Sequence, residues 1–227
     1  MRIKPYKLIF LAVLIVALFA SCSGNKTSET ETTHPTTSGS TGNVKKPTSL
    51  ENLSDLNNVI KYSVDNTYLV KSDSIVKDGN TTVYRVERTI SIEDTSTKKG
   101  SSVTYYYNLD SEFKLTKTTD VKTFENLDVD TLFSGKLDDS YFSSKSISTT
   151  NVSLKVKAQN AKDYFQDESV SSSTDVSIEM NISDFKITKI NISYSLDNKT
   201  INSEINYSYL AWFNGNLASK SWVVFFL

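Results

Sequence analysis

The sequence predicts a mainly β protein with a few short helices (α+β), built as a curved antiparallel sheet or half-barrel with helices on one side. Two stretches, from about residue 68 to 121 and from about 152 to 209, alternate apolar and polar residues with a period of two. This alternation is typical of strands with one solvated face. A single amphipathic helical pattern precedes the first stretch, and a short one interrupts the second.

The first predicted element of the domain is a helix over residues 48–61. Thr48 is the expected N-cap, and Glu51 follows at the spacing of a capping box. Apolar residues then recur at helical spacing, at Leu53, Leu56, Val59 and Ile60.

The strands come next. The alternation predicts them at residues 68–70, 84–92, 103–109, 113–121, 152–158, 176–182, 190–196 and 201–209. Between the two stretches, residues 126–143 predict one or two helical turns with Asp128 as a cap. Residues 160–165 predict a short helix, and residues 197–200 a four-residue turn. Short helices cannot cover six or more long strands, so we expect a cavity beside the sheet.

Composition excludes most catalytic chemistry. The single histidine and the single cysteine are His34 and Cys22, so the folded region has neither. The usual general base, Cys/His nucleophile pairs and nearly all zinc sites are therefore excluded. No spacing singles out the carboxylate pair that a glycosidase needs. We expect no enzyme, no catalytic residues and no cofactor.

Two acidic pairs could hold a hard cation such as calcium. They are Asp128 with Asp130 and Asp138 with Asp139, and they lack the ligand spacing and the loop glycine of an EF-hand. We interpret them as solvated turns and helix caps and expect no metal site.

The N-terminus has the architecture of an export signal. A basic segment precedes an apolar run over residues 8–20, which is too short to span a bilayer. The tetrapeptide Phe19-Ala20-Ser21-Cys22 resembles a bacterial lipobox, with phenylalanine at the usual leucine position. This resemblance implies a signal peptide over residues 1–21 and a lipidated Cys22. The alternative is an incidental cysteine at the end of an ordinary signal peptide or of a short membrane anchor.

The rest of the chain divides into a tether and a domain. Residues 22–48 are rich in Ser, Thr, Gly, Asn and Lys, so they predict a flexible tether. Residues 49–227 predict one β-rich domain on the extracytoplasmic face of the cell membrane. The apolar segment 222–227 predicts either a final buried strand or an exposed tail, and a truncated or shifted reading frame is a third interpretation.

Charge argues against nucleic acid as a partner. Residues 1–21 carry three of the 25 Lys and Arg residues and no acidic one, so the mature chain has 22 basic against 26 acidic residues, a net charge of −4. We expect no nucleic-acid binding. We expect a monomer.

Apolar and aromatic residues on the predicted strands form a candidate ligand face. They are Tyr84, Tyr105, Tyr107, Ile192, Tyr194 and Tyr207. In outline, residues 49–209 resemble the lipoprotein carriers of the LolA/LolB type and the mycobacterial LppX/LprG lipoproteins. The resemblance implies a half-barrel that carries a lipid or another amphiphile. The alternative is a structural or adhesive surface domain whose sheet is filled by its own side chains.

Overall fold

The computed structural model describes residues 44–94, 97–109, 115–125, 135, 137–165 and 174–209. Within these ranges, nine antiparallel strands form one open sheet and two short α-helices are present. The predicted mainly β class with a few short helices is confirmed. The predicted signal peptide, Cys22, His34, Asp128, Asp130 and the segment 222–227 lie outside the described residues.

The sheet is built from two consecutive runs of neighbouring strands. The strands are β1 (Thr67–Asp78), β2 (Thr81–Asp94), β3 (Lys99–Leu109), β4 (Leu115–Phe124), β5 (Phe142–Ile147), β6 (Asn151–Val156), β7 (Val176–Ser183), β8 (Lys186–Leu196) and β9 (Lys199–Tyr209). Their spatial order is β4-β3-β2-β1-β9-β8-β7-β6-β5. We call β1–β4 the N-terminal wing and β5–β9 the C-terminal wing. They meet where β1 pairs with β9.

The β8–β9 hairpin is tighter than predicted. Its turn is Asp197–Asn198, with φ angles of 47° and 65°, and Leu196 pairs directly with Lys199. Two residues of left-handed backbone suit the twist of a two-residue hairpin, and Asn and Asp tolerate it. The predicted four-residue turn is therefore wrong, because Lys199 and Thr200 belong to β9.

The first helix, α1 (Leu53–Asn66), begins later than predicted. Its N-cap is Asn52, whose side chain accepts a hydrogen bond from the Asp55 N–H at 3.0 Å. The Asp55 carboxylate accepts from the Glu51 N–H at 3.0 Å. The capping pair is thus Asn52 with Asp55 instead of Thr48 with Glu51. Both pairs have the required spacing, and asparagine is a better N-cap than threonine.

The last turn of helix α1 is bonded to the sheet by two sets of hydrogen bonds. The Ser63 Oγ accepts from the Ile187 N–H of β8 at 2.9 Å. The buried ammonium of Lys98, in the β2–β3 turn, donates to the carbonyls of Val64 and Asp65 at 3.3 and 2.7 Å. The two Lys98 bonds are made to carbonyls of the last helical turn, where a cation is favoured by the helix dipole.

The hydrophobic core lies on one face of the sheet, which we call the inner face. In the C-terminal wing, every second side chain is buried there, as at Val152, Leu154, Val156, Val176, Ile178, Met180, Ile190, Ile192, Ile201 and Ile205. Buried side chains of α1 join them in one cluster. The other face, which we call the outer face, carries the alternate, more exposed residues.

The second helix, α2 (Ala161–Phe165), confirms the short helix predicted at this position. Its Tyr164 is fully buried and makes edge-to-face contacts with Tyr141, Phe142 and Phe165, at ring-centroid distances of 6.2, 5.9 and 4.9 Å. A Cβ atom at Gly135 would lie 2.6 Å from the Tyr164 hydroxyl, so only glycine fits there.

A short 3-10 turn, Asp139–Tyr141, precedes β5. The Asp138 carboxylate caps it by accepting from the Ser140 N–H at 2.8 Å and the Ser140 Oγ at 2.6 Å. These bonds lower the pKa of Asp138 below its ordinary value. Asp138 therefore serves as a cap, as the sequence interpretation holds.

Candidate ligand-binding face

The structure places the six predicted ligand-face residues on two different faces. Tyr84, Ile192, Tyr194 and Tyr207 are buried on the inner face. Tyr105 and Tyr107 are partly exposed on the outer face. The prediction that all six share one surface is wrong for these two residues.

The error is a one-residue shift in the side-chain alternation of β3. Tyr106 pairs with the inward Val86, so Tyr105 and Tyr107 pair with the outward Glu87 and Arg85. Because side chains alternate with a period of two, a shift of one residue moves the whole set to the other face. Three consecutive tyrosines at 105–107 conceal which alternation is the inward one.

The two outward tyrosines belong to a polar network. The Tyr107 hydroxyl donates to Glu87 Oε2 at 2.6 Å, and this bond is the main cause that raises the pKa of Tyr107. Arg85 donates two hydrogen bonds to Asp73, at 2.9 and 2.8 Å. The Lys117 ammonium lies 3.9 Å from the ring centroid of Tyr105. These groups partner one another, so they are explained without a ligand.

Two of the inward tyrosines have buried hydroxyls without a protein partner. Within the described part of the chain, neither the Tyr84 hydroxyl nor the Tyr194 hydroxyl has a hydrogen-bond partner. Burial raises the pKa of both, so both stay neutral at physiological pH. An unpaired buried hydroxyl costs about 1–3 kcal/mol, which is unusual in a well-packed core.

These two tyrosines lie in one row across the strands. Tyr84 pairs with Val76, Val76 with Ile201, and Ile201 with Tyr194. Three strand spacings separate the two tyrosines, which is about 14 Å between their Cα atoms. The row thus has a hydroxyl at each end and apolar side chains between.

A second inward row contains a buried arginine that sequence reasoning missed. Arg88 is only 5% exposed, and it pairs with Ser72 on one side and Thr104 on the other. Burial lowers the pKa of Arg88 to about 10, and the opposing effects of Tyr106 and Asp120 are smaller. The alternation of β2 held the signal, because Tyr84, Val86, Ile90 and Ile92 assign position 88 to the inward side.

A pocket of about 490 Å³ lies among outward side chains of the C-terminal wing. Its lining consists of Tyr194 and eight polar residues, namely Lys155, Thr174, Asp175, Ser177, Ser193, Ser195, Thr200 and Asn202. The Asp175 carboxylate accepts hydrogen bonds from the Ser143 hydroxyl at 2.5 Å and from the Ala158 N–H at 3.0 Å, and these bonds lower the pKa of Asp175. A hydroxyl-rich lining of this kind does not suit an acyl chain.

Neither a metal-binding cluster nor a membrane-spanning helix is present among the described residues. Among these residues, no group of three or more His, Cys, Asp or Glu side chains is arranged to hold a metal ion. In the same ranges, no helix is both long and apolar enough to cross a membrane.

Comparison with known proteins gives no family. No family model matches the chain, and no curated protein matches it. Among solved structures, the chain is similar to the dehydratase domain from the CurF module of curacin polyketide synthase, with 10% identity, 62% of this chain and 74% of that chain covered, and a TM-score of 0.17. The chain is also similar to the dehydratase domain from the CurK module, with 11% identity, 72% of this chain and 85% of that chain covered, and a TM-score of 0.16. At such TM-scores, the likeness carries no argument about activity.

Proposed function

We propose that the chain is a membrane-anchored extracytoplasmic lipoprotein whose domain binds a lipid or small amphiphile at the inner face of the sheet. Cys22 carries the lipid anchor, and the protein acts as a monomer without catalysis. The observation that carries the ligand proposal is the pair of buried tyrosine hydroxyls, Tyr84 and Tyr194, on an otherwise apolar row.

The chemistry of the row suits an amphiphile. Val76 and Ile201 supply apolar surface between the two hydroxyls, and on the neighbouring row Ile192 pairs with Ile178 on one side and with the buried Ser203 on the other. Ligand sites are mostly apolar with a small number of placed polar groups. A ligand oxygen bonded to either tyrosine would remove the cost of its unpaired hydroxyl.

The alternative is a structural or adhesive surface domain without a ligand. The observation that favours it is the depth of burial, since Val76, Ile201 and Leu154 are all 0% exposed. A face filled by its own side chains would hold no amphiphile. Removal of the tyrosine hydroxyls distinguishes the two functions.

The test uses Tyr84→Phe and Tyr194→Phe in the full chain held in amphipol. Oleyl alcohol, a neutral amphiphile, serves as the labelled probe. Because oleyl alcohol has a single oxygen and the two tyrosines are about 14 Å apart, we expect one of the two substitutions to weaken its binding by about 2- to 10-fold, the value of one hydrogen bond to a neutral group. The free energy of unfolding should stay the same or rise in the free protein, because an unpaired buried group is removed.

The matched control is Tyr107→Phe, which removes a hydroxyl from the outer face. It should leave oleyl alcohol binding unchanged. If wild type binds no oleyl alcohol, or if the inner-face substitutions stabilise the protein without changing binding, the ligand proposal fails and the structural domain is favoured.

The anchor is tested separately with Cys22→Ala. This substitution should abolish labelling of the protein by an alkyne fatty-acid analogue in growing cells and reduce its membrane-bound fraction, since the acyl chains supply most of the membrane affinity. Ser23→Ala keeps the cysteine and should be labelled like wild type. Equal labelling of Cys22→Ala and wild type would contradict the lipoprotein assignment.

A further inference from the structure

The pocket of about 490 Å³ on the outer face, which we call the polar groove, is built on four neighbouring strands of the C-terminal wing. One row of outward residues crosses these strands and forms its floor. In spatial order, the row is Lys155, Ser177, Ser193 and Asn202. At about 4.8 Å per strand, the row spans roughly 14 Å, which gives room for an extended ligand.

The depth of the groove follows from the sizes of its side chains. Ser177, Ser193 and Ser195 are half-buried although they lie on the outer face. Lys155 and Asn202, at the two ends of the row, are longer and exposed. Short side chains between longer ones leave a depression in the surface of the sheet.

Two lining residues that precede β7 are held in place. The Thr174 Oγ1 accepts a hydrogen bond from the Ser195 N–H at 3.0 Å. The two bonds from Ser143 and Ala158 fix the Asp175 carboxylate. The polar groups of the groove are therefore positioned before a ligand binds, which reduces the entropic cost of binding.

The floor differs from the adjacent outward row in its hydrogen bonding. Within the described part of the chain, the side chains of Ser177, Ser193 and Asn202 make no hydrogen bond to another protein group. In the adjacent row, the Ser153 hydroxyl donates to Glu179 Oε1 at 2.6 Å. The groove thus gathers donors and acceptors whose bonding capacity is left for solvent or a ligand.

The charges of the lining favour a neutral ligand. The lining contains one acidic and one basic residue, Asp175 and Lys155. The hydrogen bonds to Asp175 are the main cause of its lowered pKa, and the positive charge of Lys155 contributes, so the carboxylate is ionised at neutral pH. Opposite charges close together give neither an anion nor a cation a field of one sign.

The remaining lining groups match the chemistry of a sugar. Hydroxyl and amide groups both donate and accept hydrogen bonds, as the hydroxyls of a sugar ring do. A carboxylate oxygen accepts stronger, charge-assisted bonds from such hydroxyls. The two oxygens of Asp175 each accept one protein bond and have a further acceptor site.

We propose that the polar groove binds a neutral saccharide, through Ser177, Ser193 and Asn202 on its floor and the carboxylate of Asp175 beside them. The ligand class is a short run of uncharged sugar rings laid across β6–β9. This site lies on the opposite face of the sheet from the proposed amphiphile, so the inference does not depend on the proposed function.

The experiment measures the binding of neutral trisaccharides to the full chain in amphipol by isothermal titration calorimetry. The probes are maltotriose, cellotriose and chitotriose, and we expect wild type to bind one or more of them. Ser193→Leu places a large apolar side chain on the floor and should abolish this binding. Asn202→Ala removes one amide and should weaken it by about 2- to 10-fold, the value of one hydrogen bond between neutral groups.

The matched controls lie on the same face outside the groove. Asn191 is exposed on the outer face of β8, two residues from Ser193. Asn191→Leu and Asn191→Ala should leave trisaccharide binding unchanged. Tyr84→Phe, on the inner face, should also leave it unchanged.

Three outcomes would overturn the proposal. In the first, wild type binds none of the trisaccharides. In the second, Ser193→Leu binds like wild type, or Asn191→Leu loses as much binding as Ser193→Leu does. In the third, inorganic phosphate, the anionic probe, displaces the bound trisaccharide, which would make the groove an anion site. If circular dichroism shows that Ser193→Leu does not fold, Asn202→Ala must still bind more weakly than Asn191→Ala.

Discussion

The two wings of the sheet bury their inner faces in different ways. The C-terminal wing buries Val, Ile, Leu and Met at successive inward positions of β6–β8. The N-terminal wing places Ser72, Arg88 and Thr104 inward, and all three are buried. The N-terminal wing also buries apolar residues, such as Val70, Val76 and Val86. The wings therefore differ in the polar residues that the N-terminal wing buries among its apolar ones.

A buried hydrogen bond joins the two wings at the seam, where β1 pairs with β9. The Ser74 and Ser203 hydroxyls bond each other at 2.8 Å, and both are buried. Polar groups in low-dielectric surroundings are costly unless they are paired. The inner face of the N-terminal wing consequently needs hydrogen bonds for its buried polar residues as well as packing, whereas that of β6–β8 needs packing.

The largest stability effect should come from the packed wing. Leu154→Ala removes a side chain that is 0% exposed in the centre of β6, between Val152 and Val156. We expect the free energy of unfolding to fall by about 2–5 kcal/mol, because the loss of buried surface adds to the cost of a cavity. Urea unfolding followed by circular dichroism measures it.

The control substitution is Val121→Ala on β4 of the N-terminal wing, where the side chain is 64% exposed. It should change the free energy of unfolding by less than about 0.5 kcal/mol. A loss at Val121 as large as that at Leu154 would contradict the assignment of Leu154 to the packed core and of Val121 to the surface.

The sequence predicts β7, β8 and β9 better than β1 and β5, because the inward positions of these three strands are mostly apolar. The strands predicted at 176–182, 190–196 and 201–209 match β7, β8 and β9 closely. In β1, by contrast, the predicted strand ends at Val70 whereas the observed strand continues to Asp78, because the inward Ser72 and Ser74 interrupt the apolar alternation. Strand β5 was missed altogether, since its residues from Ser143 to Ser146 are exposed on both faces.

The candidate site follows the same rule. Tyr194 and Ile192 were assigned to the correct face because their strand alternates cleanly. Tyr105 and Tyr107 were not, because β3 has polar residues on its buried side and tyrosine on both sides. Hydrophobicity alone does not predict a buried charged group, so Arg88 is missed although the alternation of β2 places position 88 on the inward side.

The smallest expected effect concerns the hydroxyl pair where the wings meet. Ser74→Ala removes little volume and leaves the buried Ser203 hydroxyl without its partner. We expect a loss of about 1–3 kcal/mol in the free energy of unfolding, and the same for Ser203→Ala. The double substitution should lose less than the sum of the two single ones, because neither desolvated hydroxyl then remains. A double-mutant cycle in urea gives this coupling, which should exceed about 0.5 kcal/mol for groups in contact. Additive single effects would instead show that the hydroxyls are independently satisfied, and the seam would then resemble the packed wing.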